Sequence, residues 1–270
     1  MGYKTRLSTM LPAEFERMLS QAYQSVGAFD ADILYIYTDF RHFGTYAAGY
    51  ENRNEFCKAL VDQFLARGQT IVLTTFTYSV EGRFDVLNSR TKLGAMNKWI
   101  LEQPGFRRSE HPLFSYAALG PDAGLIENIG KSAFGYDSVF DRLKGRRTAF
   151  LHIGRPVSFG NTAIHHVEHM CGATYRIHKA FRTEVFRGES YIGTDYTAFL
   201  KRLDVTGESF DFDFSRAAAK LYNKSLINQV GSDLDLSNIS FYWFDQTIDC
   251  LADMFYEDPQ IFIKSNFIGY

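Results

Sequence analysis

The chain has 270 residues, 46% of them hydrophobic and 22% charged, with a formal net charge of -2. That is enough for one large domain with an ample core, and a balance so near neutral argues against nucleic acid as the main partner. No apolar run approaches the roughly 18 residues of a membrane span, and residues 1–10 lack the apolar stretch of a secretory signal. Cys57, Cys171 and Cys250 are widely spaced, with no CxxC. The expectation is therefore reduced thiols in a cytoplasmic protein with no membrane partner.

In chain order, Pro12 stands before Phe15, Met18, Leu19, Ala22 and Tyr23 at helical spacing, which predicts a helix over 11–26. Residues 33–37, ILYIY, form a continuous β-prone run typical of a buried strand, and 38–44 turn polar. An amphipathic helix over 55–67 stops at Gly68, and 71–75 make a second buried strand. A helix between two such strands is a βαβ unit, so the predicted sheet is parallel with helices packed on it. Thr75 to Ser79 would then lie level with Thr38 and Asp39 at the strand ends. Further along, 94–102 read as a helix, 113–119 as a strand or buried segment, and 123–129 and 138–143 as short helices before a strand at 149–153.

Beyond Cys171 the pattern changes. Residues 186–196 and 208–214 read as short strands between polar and Gly turns, and 245–256 as a closing helix. The fold class expected is α/β: three layers, a mainly parallel central sheet flanked by helices, and a C-terminal antiparallel β-rich elaboration. Residues 1–180 would form the core, and 181–270 would pack on it and complete the site as part of one cooperative unit.

Chemistry concentrates in 150–168, F-L-H-I-G-R-P-V-S-F-G-N-T-A-I-H-H-V-E. An apolar strand ends at Gly154, a polar loop follows, and Asn161 or Thr162 offers an N-cap to a helix. Strand, loop and helix start in that order place polar side chains at the end of a sheet, where open α/β folds keep their sites. His165 and Glu168 are three apart and share a helix face. An imidazole oriented by a carboxylate suits a general base; the bland alternative is a surface contact worth about 0.2–0.5 kcal/mol. The helix N-terminus would lower the His165 pKa and Glu168 would raise it.

Other patterns are weaker. Gly124 to Ser132 has five residues between its glycines, where a phosphate-binding loop needs four. His152, His165, His166 and His169 lack the H-E-x-x-H order, so no metal is expected.

Two segments together resemble one family. P-G-F-R-R-S-E-H-P-L-F-S-Y-A-A-L-G at 104–120 matches P-G-x-x-R-S-x-H-P-x-x-S-x-A-x-x-G, and G-N-T-A-I-H-H-V-E at 160–168 matches N-T-x-x-H-x-x-E. Over about 33–181 the chain resembles the aminoglycoside 3-N-acetyltransferase superfamily, coenzyme A-dependent enzymes that acylate an amine on a sugar. The resemblance implies an N-acyltransferase using acetyl-CoA or another acyl-CoA and no metal. Its partners would be an amino-sugar acceptor and the acyl donor, with a homodimer left open.

It implies His165 as general base, Glu168 orienting it, and Thr162 contributing to an oxyanion hole. Thr38, Arg41, Thr75, Thr77, Arg108, Ser109, His111 and Ser115 would contact the coenzyme. Asp39, Tyr78, Asn161, Tyr175 and Arg176 would face the acceptor; many relatives carry H-S-S-L where this chain has Tyr37-Thr38-Asp39-Phe40. Segments 75–79, 84–86, 134–138 and 174–179 look more like the branch acylating nucleotide-linked amino sugars for bacterial surface polysaccharides. Arg155, Arg176 and Lys179 would suit a pyrophosphate-bearing acceptor. The alternatives are aminoglycoside acetylation, the basis of antibiotic resistance, and a scaffold that keeps the fold without activity.

Overall fold

The computed structural model describes residues 10–202, 211–231, 236 and 238–264. Helix α1 (Pro12–Val26) takes Pro12 in its first turn, where no amide hydrogen is needed, and ends on left-handed Gly27. Strand β1 (Ile33–Thr38) follows, buried almost throughout. A short helix α2 (Gly44–Ala47) and then α3 (Arg53–Leu65) lead to β2 (Thr70–Thr74). Helix α3 begins two residues earlier than its apolar periodicity suggests, because the Asn52 side chain accepts the Glu55 amide at 3.0 Å and caps it. Strands β1 and β2 pair in parallel, as the helix between them requires.

The middle of the chain supplies β3 (Arg83–Asp85), α4 (Ala95–Trp99), β4 (Arg107–Arg108), β5 (Tyr116–Leu119) and α5 (Val139–Leu143). The helix expected over 123–129 is only a 3-10 turn, Ala123–Ile126. Strand β6 (Thr148–Ile153) then joins the free side of β1, in parallel from Ile33–Thr148 to Thr38–Ile153. Helix α6 (Ala163–Cys171) leaves the C-terminal end of that strand.

The remainder comprises β7 (Arg176–Ala180), β8 (Glu184–Arg187), β9 (Ser190–Gly193), β10 (Thr197–Lys201) and β11 (Asp211–Phe212). Helix α7 (Ser215–Asn223), β12 (Asn228–Gln229), β13 (Ile239–Trp243), α8 (Phe244–Glu257) and β14 (Ile263–Lys264) complete it. An antiparallel pair forms over the expected 186–196, β8 with β9, although β8 also takes β3 in parallel. The antiparallel pairs β7 with β10 and β11 with β14 use strands at 176–180, 197–201 and 263–264 that the sequence pattern did not mark. Of the strand expected at 208–214, residues 208–210 lie outside the described residues.

Strands β12 and β13 do something the sequence did not suggest. They complete the central sheet, whose order is β12-β13-β6-β1-β2-β5-β4. A boundary at residue 180 therefore leaves two strands of the main sheet on its C-terminal side. Strands β4, β2, β1, β6 and β12 run one way and β5 and β13 the other, so the sheet is mainly parallel in direction.

Alternation along the strands makes two cores. Tyr35, Tyr37, Val72 and Phe150 face one side, covered by α5, α6, α7 and α8. Leu34, Ile36, Ile71, Leu73 and Leu151 face the other, covered by α1, α3 and α4. Among the described residues no helix is long and apolar enough to cross a membrane.

Gly154 ends β6 with φ +72°, and a Cβ there would collide with the Asp39 carbonyl oxygen and the Phe43 ring. The ends of β1 and β6 approach closely because that position carries no side chain. Gly154→Ala should therefore cost about 2 kcal/mol or more of stability, read from the urea midpoint. An unchanged midpoint would show that the strand ends separate freely.

Candidate active site

Helix α6 starts where β6 and its loop deliver it, beside the ends of β1 and β2. Asn161 Oδ1 accepts the Ala163 amide at 3.0 Å, so Asn161 caps the helix in place of Thr162. From the first turn His165 reaches Glu168, Nδ1 to Oε2 at 2.8 Å. The Glu168 side chain is fully buried, that of His165 23% exposed. Glu168 Oε1 accepts the Tyr175 hydroxyl at 2.8 Å, and Arg176 Nε lies 2.7 Å from Oε2, although its N–H is not aimed at the oxygen.

Burial would raise the Glu168 pKa, but the hydrogen bond from His165, its charge once protonated, and the charge of Arg176 bring it below its ordinary value. Burial lowers that of His165, Glu168 pulls it back up and Arg176 lowers it again, leaving it below the ordinary value. At neutral pH the pair is thus carboxylate and neutral imidazole. An ionised carboxylate is the stronger acceptor, so Nδ1–H donates to Glu168 and Nε2 keeps its lone pair.

His165 lines a cleft of about 650 Å3. Its walls include Thr38 at the end of β1 with Asp39, Phe40 and Arg41 beyond it, Thr74 at the end of β2 with Phe76 and Tyr78 beyond it, and Arg53, Arg155, Asn161, Thr162 and Phe212. Phe134 and Phe212 flank the imidazole edge-on, with ring centroids 5.6 and 5.0 Å away. Asp39 is held by Arg41, with Oδ2 2.5 Å from Nη2. The Arg155 guanidinium donates to the Gly160 and Phe159 carbonyls at 2.8 and 3.1 Å, tying down the loop ahead of α6.

The cleft gathers His165, Thr162, Thr38, Arg41, Asp39, Tyr78 and Asn161 from among the expected site residues. Two of these have polar groups already committed within the protein. The Thr162 amide already donates to the Tyr37 hydroxyl at 3.1 Å, which takes the backbone donor an oxyanion would use. Asn161 Nδ2 donates to Tyr242 at 3.0 Å, so both ends of its amide are committed.

The expected acceptor contacts at Tyr175 and Arg176 are corrected: both are buried, on Glu168. So is most of the expected coenzyme set. Arg108 is 1% exposed; its guanidinium donates to the Thr75 and Ser89 carbonyls at 2.8 and 2.5 Å and to Ser115 Oγ at 3.1 Å. Burial brings its pKa down to about 10. Ser115 Oγ donates to the Thr75 carbonyl, Thr75 and Ser115 hydroxyls meet at 3.2 Å, and Ser109 Oγ accepts the Tyr116 amide. His111 Nδ1 accepts the Leu113 and Phe114 amides, its Nε2–H donates to the Thr197 carbonyl, and burial lowers its pKa to about 4. The Thr77 hydroxyl binds the Pro112 carbonyl. These groups hold the loop of 109–115 against β2 and β10.

Sequence reasoning missed Arg53, Asn97, Phe159 and Phe212 on the cleft. None carries a local motif, and Phe212 arrives on β11 from the far side of the chain. Two other histidines of this region are satisfied structurally: His152 accepts from Tyr242 and donates to the Arg155 carbonyl, and His166 accepts the Gly135 amide. His169 packs its ring on His178 and Phe199, with Nδ1 buried and unpaired. Among the described residues no group of three or more His, Cys, Asp or Glu is placed to hold a metal ion.

The family model described as aminoglycoside 3-N-acetyltransferase matches residues 36–234, more than half of the chain. Among solved structures, aminoglycoside acetyltransferase AAC(3)-IVa as apoenzyme is 19% identical, with a TM-score of 0.69 over 98% of this chain and 96% of that one. AAC(3)-IIb is 17% identical, with a TM-score of 0.70 over 90% and 97%. AAC-VIa bound to sisomicin is 18% identical, with a TM-score of 0.68 over 94% and 99%. At these identities the likeness carries the fold alone. No curated protein sequence matches.

Burial of the 108–115 cluster predicts that Arg108→Met lowers stability by about 3 kcal/mol, since several carbonyls lose their donor. The coenzyme A affinity of the folded fraction, measured by calorimetry, should stay unchanged. A weakened affinity at unchanged stability would return Arg108 to the binding surface.

Proposed function

Because the chain belongs to the aminoglycoside 3-N-acetyltransferase family, and is thus a coenzyme A-dependent N-acetyltransferase acting on an amine, we propose that His165 is its general base and an aminoglycoside its acceptor. The observation that carries the assignment of the base is an imidazole at the cleft whose Nδ1 is tied to a buried carboxylate and whose Nε2 remains free.

The coenzyme supplies a thioester, an electrophilic carbonyl with a thiolate leaving group. Thr38 beside the end of β1, with the exposed guanidinium groups of Arg41 and Arg53, offers hydroxyl and cationic partners that fit its polar and phosphate groups. Nε2 of His165 takes a proton from the acceptor amine as its nitrogen–carbon bond forms. The carbon–sulfur bond breaks, and that proton passes to the departing sulfur. Glu168 holds the ring in the productive tautomer and balances the imidazolium that forms. Phe76, Tyr78, Phe159 and Phe212 offer flat apolar walls to a sugar ring.

A second reading is favoured by one observation. Among the described residues the only carboxylate on the cleft is Asp39, already paired with Arg41, whereas Arg53 and Arg155 add positive charge. A polycationic aminoglycoside gains little there, and an amino sugar carried on a nucleotide diphosphate gains more. A panel of sisomicin, apramycin and UDP- and dTDP-linked amino sugars, followed by thiol release from acetyl-CoA, separates the two. Turnover confined to the nucleotide-linked sugars would displace the aminoglycoside reading.

His165→Ala should lower turnover by about 10²–10⁴-fold, with coenzyme A affinity retained; near-normal turnover would remove His165 from the reaction. Because its pKa lies below the ordinary 6.5, the neutral base persists as pH falls through that value. The acid limb of kcat/KM should therefore fall below 6.5, and a limb above it would contradict the neutral-base assignment.

A further inference from the structure

Arg176 is placed unusually for a cation. Its Nε lies 2.7 Å from the Glu168 oxygen that His165 also uses, and its Nη2 lies 2.9 Å from His165 Nδ1. Nη1 donates to the Phe199 carbonyl at 3.2 Å, and the guanidinium carbon lies 5.5 Å from the centre of the Phe212 ring. Its side chain is only 6% exposed and sits among β7, β10 and β11. Such a guanidinium cannot contact an acceptor or a phosphate in the cleft. It does face the one imidazole nitrogen that carries hydrogen whenever His165 is bound to Glu168.

We propose that Arg176 is a positioning residue that keeps Glu168 ionised and opposes protonation of His165, returning the imidazole to its neutral form after each proton transfer. This rests on His165 being the base. The two contacts pull in opposite directions. Toward the carboxylate Arg176 is an opposite charge at contact distance; toward Nδ1–H it is a second donor, and toward an imidazolium a like charge. A His–Glu pair without the arginine would make a more basic imidazole, readily protonated and idle as a base.

The other groups around the ring do not replace this effect. On its own helix His165 faces Glu168, which favours protonation, and Tyr175 reaches only the far oxygen of that carboxylate. Phe134 and Phe212 pack on the ring without charge. Helix α8, along α6, sets Phe255 against Tyr175. The cleft adds Arg53, Arg155 and the Asp39–Arg41 pair, but Arg176 is the cation in contact with Nδ1.

The test is a 15N NMR titration of histidine-labelled protein, with His165 assigned by comparison with His165→Gln, alongside kcat/KM profiles against pH. In the unaltered protein His165 should titrate below 6.5. Arg176→Gln should raise that midpoint by about one unit, seen as a roughly tenfold loss of kcat/KM at the acidic end with little change at high pH. Arg176→Lys, which keeps the charge, should hold the midpoint near that of the unaltered protein. A midpoint unmoved in Arg176→Gln, or a uniform loss at every pH, would overturn the proposal. If that variant does not fold, a midpoint above 6.5 in the unaltered protein does so. The titration does not depend on turnover, so an active His165→Ala would defeat the general base and leave the arginine effect separately readable.

Discussion

One buried carboxylate organises the functional end of this molecule. Glu168, with no exposed surface, collects His165 from its own helix, Tyr175 from the turn that follows and Arg176 from β7. Burying an ion costs several kcal/mol unless partners replace water. Here the hydroxyl, the imidazole N–H and the guanidinium charge do so. Because the partners come from α6 and the β-rich part, satisfying the charge also fixes the helix against that part. The free imidazole nitrogen is left facing the cleft.

The cleft owes its position to the sheet. Strands β1, β2 and β6 run in the same direction, so the chain leaves all three at one end. The segments after β1 and β2 and the loop before α6 therefore meet there, as ligand sites of parallel sheets do. Gly154 lets the β1 and β6 ends close on each other, and Arg155 ties the carbonyls at 159 and 160. The cleft is consequently held from beneath by backbone as well as lined by side chains.

A second polar cluster has a different task. Arg108, Ser109, His111 and Ser115 satisfy carbonyls and amides of a segment with little regular structure of its own. Such a loop stays ordered only if its buried backbone groups find partners. Arginine and histidine supply many donors and acceptors from few side chains, which explains their presence so far inside. The same residue types that make a phosphate site on a surface make a scaffold when buried.

Much of the fold is readable from the chain. Continuous apolar runs at β1, β2 and β6, the amphipathic periodicity of α1 and α3, and the i, i+3 spacing of His165 and Glu168 are local features with local physical causes. The sequence could also say that Arg108, His111, Tyr175 and Arg176 are chemically versatile. It could not say which way they point, because burial is decided by elements distant in the chain. Thr197 is what turns His111 into a strut, and Phe199 and Phe212 are what pin Arg176 beside Glu168. The insertion of β13 beside β6 is likewise a pairing between strands far apart in sequence, with no nearby signal. Periodicity determines what an element is; which of its polar atoms remain available to a ligand depends on what packs over them.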